Sequence, residues 1–171
     1  MSGLVRQGPA PMQAQPGGDA GKRVEYLAFR LATDTYAFRI ARVAEILKPG
    51  PITPIPRAPF AVRGIMSVRG RIVTVIDLRR RLRLPEEPLG RRTRVLLADL
   101  GDEHVGAWVD EVLQVYRLSD EEIEPPTALG GDQAPHVLGV ARPRRPDDDV
   151  RAWERAPPLV LLDLRAMLLG G

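Results

Sequence analysis

Between residues 49 and 59 the chain carries Pro49, Pro51, Pro54, Pro56 and Pro59. Proline has no backbone N–H and its ring fixes φ, so this stretch can be neither a regular helix nor a central strand. It reads as a rigid, extended connector. On either side of it the apolar runs are short and are closed by Gly, Pro, Asp or Thr. Runs of that kind suit strands, and few of them keep the 3.6-residue period of a helix.

The runs can be placed in order. Val24 to Leu31 and Tyr36 to Ile40 predict a hairpin about Thr33-Asp34-Thr35. Ile40, Val43, Ile46 and Leu47 follow at helical spacing, which predicts a short helix or extended turn up to Lys48. Val62 to Val68 and Arg71 to Ile76 flank Arg69-Gly70, a tight two-residue turn. In type I′ geometry that turn holds Arg69 at positive φ, a mild strain of the kind found at functional positions. Asp77 predicts a helix cap, with the helix over by Pro85. Strands are expected over Arg94–Leu100, His104–Val109, Val112–Leu118, His136–Ala141 and Leu159–Leu162. A capped turn is expected at Ser119–Ile123, and an amphipathic helix at Asp163–Leu169. Residues 1 to 22, rich in Gly, Pro, Gln and Ala, read as a disordered tail, with the folded domain over 23–171; Arg142 to Pro158 reads as a solvated loop or insertion. The strand–turn–strand pattern occurs twice, near 24–76 and 94–162. The expectation is a mainly β, mostly antiparallel protein of two lobes, each a small barrel, because closure removes exposed strand edges.

Reactive chemistry is sparse. The chain has no cysteine, which excludes disulfides, thiol nucleophiles and thiolate metal sites. His104 and His136 fall in separate strands with no ligand spacing around them. Ser2, Ser67 and Ser119 sit in no nucleophile elbow, and no glycine-rich phosphate loop is present; Gly130-Gly131 reads as an ordinary loop. Asp147-Asp148-Asp149 lacks the rest of a calcium loop and reads as a solvated charge run. The pattern favours a binder over an enzyme, with no cofactor and no metal. The N-terminus has no apolar signal region and no run is long enough to span a membrane, so a cytoplasmic protein is expected.

Charge is segregated. Residues 79–94 hold seven arginines against Glu86 and Glu87, whereas 99–124 hold nine acids against Arg117. Such segregation suits a protein partner with complementary patches. The alternative is a basic β-barrel that binds nucleic acid through Arg79, Arg80, Arg81, Arg83, Arg91, Arg92 and Arg94. That mode needs aromatic stacking platforms, and Tyr26, Phe29, Tyr36 and Phe38 all fall in patterns that also suit a core.

Several blocks, in order, resemble the CheW coupling proteins of bacterial chemotaxis. They begin with Tyr26-Leu27-Ala28-Phe29-Arg30-Leu31 and Val43-Ala44-Glu45-Ile46, and run through the Ile52-Thr53-Pro54-Ile55-Pro56 connector. The most diagnostic is Val62-Arg63-Gly64-Ile65-Met66-Ser67-Val68-Arg69-Gly70, followed by Val73-Thr74-Val75-Ile76-Asp77-Leu78-Arg79. Val105-Gly106-Ala107-Trp108-Val109-Asp110-Glu111-Val112, Val137-Leu138-Gly139-Val140 and Leu159-Val160-Leu161-Leu162-Asp163-Leu164 complete the set. Ser67 and Thr74 depart from the Asn and Pro common in the family, and Arg142–Pro158 is longer and more charged than usual, which would suit a specialised pathway.

The resemblance implies two five-stranded SH3- or OB-like barrels side by side around a hydrophobic groove, with short helices and a C-terminal helix. It implies a non-enzymatic adaptor between methyl-accepting chemoreceptor tips and the regulatory domain of a CheA-type histidine kinase; a scaffold that binds kinase without receptor is the alternative. Ile40, Val43 and Glu45 match positions that meet the receptor tip. Gly64 and Arg69 match positions where changes disrupt coupling. Gly106, Val112 and Val115 match positions lining the groove. Glu45 and Arg69 are expected to form an ion pair. The adaptor reading is tied to a groove open to a helical hairpin.

Overall fold

The structure, a computed structural model, describes residues 21–129, 135–143, 151 and 155–170. The sequence readings of Gly130-Gly131, Asp147-Asp148-Asp149, all but the last two residues of 1–22 and most of 142–158 fall outside those residues.

Eleven strands and two short helices are described. They are β1 (Val24–Leu31), β2 (Asp34–Arg39), β3 (Val43–Leu47), β4 (Val62–Val68), β5 (Arg71–Asp77), α1 (Leu78–Arg81), β6 (Arg94–Ala98), β7 (Val105–Val109), β8 (Glu111–Leu118), β9 (Ile123–Glu124), β10 (Val137–Ala141), β11 (Leu159–Leu162) and α2 (Leu164–Leu169). Single 3₁₀ turns occupy Ile40–Arg42, Asp120–Glu122 and Pro126–Leu129. One sheet has six strands in the order β8-β1-β2-β11-β10-β9, and the other has five in the order β3-β6-β7-β5-β4. The mainly β, two-lobed expectation holds. Neither strand order closes on itself, so each lobe is a curled SH3-like sheet rather than a closed barrel.

Local chemistry explains the joints. Arg69 and Gly70 have φ of +47° and +78°, the positive pair expected of the tight turn between β4 and β5. Asp77 caps α1, its carboxylate accepting the Arg79 and Arg80 backbone N–H groups at 3.0 and 3.4 Å. Asp163 caps α2 through the Ala166 N–H at 2.8 Å. The backbone N–H of Ser119 donates to Glu122 at 2.9 Å and closes the expected capped turn.

Two local readings are corrected. Residues 43–47 are not a helix but strand β3, paired antiparallel with β6. The β-branched Val43 and Ile46 and an open sheet edge override a four-residue apolar period. The β1–β2 turn is Ala32-Thr33, not Thr33-Asp34-Thr35, since Leu31 pairs with Asp34. Ala32 takes φ +54° and donates its N–H to the Asp110 carboxylate at 2.7 Å. A partner 78 residues away therefore sets that turn.

Three apolar clusters hold the molecule. Tyr26, Ala28, Ala37, Leu118, Leu159 and Leu161 fill the six-stranded lobe, and Met66, Val73, Val75, Val95 and Trp108 fill the five-stranded one. The largest lies between the sheets. Leu27, Phe29, Leu31 and Phe38 from one sheet meet Ile76, Leu96, Ala107 and Val109 from the other, with Met167 and Leu168 of α2 closing the end. All of these are buried. The groove expected between the lobes is thus occupied by the protein's own side chains. Each sheet presents apolar residues on both faces at its centre, and burying the second face requires the other sheet. Along the seam a depression of about 430 Å³ remains.

Candidate functional site

The five-stranded sheet carries the exposed feature that the sequence predicts most sharply. Arg69, on the β4–β5 turn, meets Glu45 of edge strand β3 in a fork: Nη1 to Oε2 at 2.6 Å and Nη2 to Oε1 at 2.5 Å. Two parallel charge-assisted bonds fix the orientation of both side chains. A register shift in β3 makes this possible. Val43 pairs with Ala98, yet Glu45 rather than Ala44 pairs with Leu97. Without the extra residue Glu45 would point toward the inter-sheet core, so the bulge turns it to the face that Arg69 reaches. Sequence alone placed the partners but not this device.

Arg69 lies 73% exposed, so the pair adds little to stability. The Arg69 guanidinium holds the Glu45 carboxyl below its usual range, chiefly through the hydrogen bonds. A depressed folded value means that the pair's contribution is present above 4.5, the unperturbed value, and lost as the pH falls through the folded value. An NMR titration should therefore give Glu45 a lower midpoint in the native protein than in Arg69→Ala; equal midpoints would show that the fork does not persist in solution.

Beside the fork is a hollow of about 330 Å³ lined by Val68, Arg69, Arg71, Val73, Leu97 and His104. Ile72 is 59% exposed and Ile46 45%. An oriented charge pair flanked by aliphatic side chains can set the register of a protein partner.

The remaining candidates do not form one patch. Ile40, Val43 and Val112 are half-buried and pack on the inter-sheet core. Val115, on edge strand β8, is 43% exposed; it pairs with Leu27 and so faces the same way. Gly64 has φ +148°, and a Cβ there would lie 2.3 Å from the Thr53 carbonyl oxygen. That glycine lets the proline-rich connector bridge to β4, where Thr53 and Ile65 exchange backbone hydrogen bonds at 2.8 and 2.9 Å. Gly106 is buried in β7, and a Cβ would lie 2.5 Å from Val95 Cγ1. It faces the interior of its lobe, not an open groove.

Two arginines escaped the sequence reading as individuals. Arg63 donates to Asp77 at 2.6 Å and lies over the Trp108 ring, 4.0 Å from its centroid. Arg79 is only 4% exposed. Its Nε and Nη2 grip Asp110, and its Nη1 donates to the Pro85 carbonyl at 2.7 Å. Nothing in linear spacing marks a buried arginine inside an Arg-Arg-Arg run. Three of the seven arginines of the basic segment are already paired: Arg79 is bound by Asp110 and Glu87, Arg80 by Glu86, and Arg92 by Glu111. Charges already paired with protein carboxylates are poorly placed to hold phosphates. Among the described residues, no group of three His, Asp or Glu converges as a metal site.

Comparison with known proteins agrees with this architecture. FrzA of Myxococcus xanthus is 36% identical over 119 residues, covering 69% of this chain and 74% of that protein. The chemotaxis protein CheW of Treponema pallidum is 30% identical over 126 residues, covering 71% and 74%. The crystal structure of the scaffolding protein TtCheW from Thermoanaerobacter tengcongensis superposes with a TM-score of 0.70 at 26% identity, covering 85% of this chain and 92% of that one. The family model described as the CheW-like domain matches residues 25–169. With two SH3-like sheets, the Glu45–Arg69 fork and this match over nearly all of the described chain, the protein belongs to the CheW family.

Proposed function

We propose that this chain is a non-enzymatic adaptor that couples the cytoplasmic tip of a chemoreceptor to the regulatory domain of a CheA-type histidine kinase, working in the cytoplasm at receptor arrays. The observation that carries the reading is the fork: an exposed, oriented ion pair on a strained turn, which stability does not require. The relatives' names support it, one being a chemotaxis protein CheW and the solved one a scaffolding protein. Among the described residues no helix is long and apolar enough to cross a membrane.

The closed inter-sheet space changes where a receptor would bind. A helical hairpin cannot enter between the sheets without displacing Phe29 and Phe38. It would instead lie on the outside, across the seam and the fork, with Ile40, Val43, Val112 and Val115 supporting or touching it. The same closure favours a second reading, in which the chain binds kinase but not receptor.

Arg69→His and Glu45→Ala should each leave the melting temperature within about 4 °C, the scale of a ~1 kcal/mol change. Both should abolish receptor control of the kinase in a ternary pull-down and phosphorylation assay. Melting of either variant at ambient temperature would return the fork to a structural role. Binding of kinase with no binding of receptor by the native chain would select the second reading. Val43→Met, at a half-buried position, should weaken receptor capture while keeping the kinase.

A further inference from the structure

Strand pairing brings the β4–β5 turn, the end of β6 and the start of β7 to one end of the five-stranded sheet. The hollow of about 330 Å³ beside the fork lies at that end. Its walls share one face of the sheet. Val68 pairs with Arg71, Val73 stands two residues further along β5, and Leu97 pairs with Gly106 on the face where Gly106 meets Val73. Val68 and Leu97 pack on the apolar cluster that holds Val73, so the floor of the hollow is the edge of the lobe's own core. The rim is basic. Arg69, Arg71 and His104 line it, and no carboxylate does. Glu45 spends both oxygens on Arg69. Arg71 and His104 are exposed and form no ion pair or side-chain hydrogen bond among the described residues. The fold gives these two side chains no task.

We infer that this hollow binds a small carboxylic acid with a compact apolar body, its carboxylate between Arg71 and His104 and its body on Val68, Val73 and Leu97. The mouths of small β-barrels are recurrent ligand sites, and such sites combine apolar walls with a few convergent polar groups. A guanidinium fork matches a carboxylate, and an imidazole offers an N–H in either protonation state. An inorganic anion would leave the aliphatic walls wet, whereas a neutral apolar molecule would leave the rim unanswered. The volume is at the small end of ligand sites, which run from about 300 to 1,000 Å³, and so selects a body of a few carbons over a nucleotide. The site goes beyond the adaptor reading and stands without it. Because Arg69 belongs to both the rim and the fork, a bound acid would adjoin the ion pair.

The test titrates the full ¹⁵N-labelled chain with hexanoate, hexanamide and acetate and follows the backbone amide shifts. Hexanoate carries both charge and body, hexanamide the body alone, and acetate the charge alone. Hexanoate should bind with about millimolar affinity, within reach of a ligand of so few atoms, and should move the amides of Val68, Arg71, Val73, Leu97 and His104. Hexanamide and acetate should each bind about tenfold more weakly or worse, through the lost charge contact in one and the lost methylenes in the other. Arg71→Gln and His104→Gln should each weaken hexanoate about tenfold and leave hexanamide unchanged. Both positions are exposed, so the fold should survive. Arg57→Gln, at an exposed arginine of the proline-rich connector, should change nothing. Hexanoate binding no tighter than hexanamide or acetate overturns the inference, as do shifts centred elsewhere or no saturable shifts at tens of millimolar. Unaltered hexanoate affinity in both rim variants, or a loss in Arg57→Gln equal to theirs, overturns it as well.

Discussion

Arg79→Met lowers the free energy of unfolding by about 3 kcal/mol, the usual scale for removing one partner of a largely buried ion pair. Arg79 is fully enclosed and supplies both charge and fork to Asp110. Its loss leaves Asp110 with only the Ala32 N–H at 2.7 Å. The effect should spread, because Asp110 joins β7 to β8 and holds the β1–β2 turn. Arg79→Lys keeps the charge but not the fork, and should lose roughly half as much. In a double-mutant cycle, adding Asp110→Asn to Arg79→Met should cost less than the sum of the single changes, since the stranded charge disappears with its partner. Urea denaturation reads all three. A loss in Arg79→Met no larger than the ~0.5 kcal/mol typical of surface sites would show that the network is decorative.

Gly106→Asp is expected to be more severe, at 4 kcal/mol or more, and to take most of the stability of a domain of this size. The new Cβ would sit 2.5 Å from Val95 Cγ1 and 3.5 Å from Val73 Cγ1, and the carboxylate would enter an apolar cluster. Gly106→Ala, which carries the crowding without the charge, should lose about 1–3 kcal/mol. Circular dichroism and one-dimensional NMR should show Gly106→Asp without dispersed native signals. A folded Gly106→Asp that merely fails to bind would contradict this geometry and make Gly106 a surface contact after all. The distinction bears on assays of the adaptor. Lost binding in a Gly106 variant would report unfolding, whereas, on the proposed function, lost binding in a folded Glu45 or Arg69 variant would report the interface.

These two cases show where legibility ended. The strained turn was readable because turn chemistry is local: Arg-Gly between two apolar runs permits few geometries, whereas the pairing of Arg69 with Glu45, 24 residues away, was expected only from the family resemblance. The caps at Asp77, Ser119 and Asp163 were readable for the same reason. The reading of a short helix or extended turn over Ile40 to Lys48 held only for the 3₁₀ turn Ile40–Arg42 and failed over Val43–Leu47, because its period was short and the edge of a sheet was available to pair. Arg79 was invisible as an individual, since its burial depends on Asp110, 31 residues away.

Length of run, proline placement and turn residues by themselves determined that this chain is mainly β and made two lobes the expectation, and the absence of cysteine excluded thiol chemistry. These are short-range constraints on backbone conformation, and they act before any lobe meets the other. Only the tertiary structure decided that the lobes close on each other through Phe29, Phe38 and Leu96, leaving a depression along the seam rather than a groove between the sheets among the described residues. It also decided that the β3 bulge turns Glu45 toward Arg69, and which arginines are consumed and which remain free. Those outcomes depend on how two twisted sheets bury their second faces and which charges they trap in doing so, and neither is written in any window of the sequence.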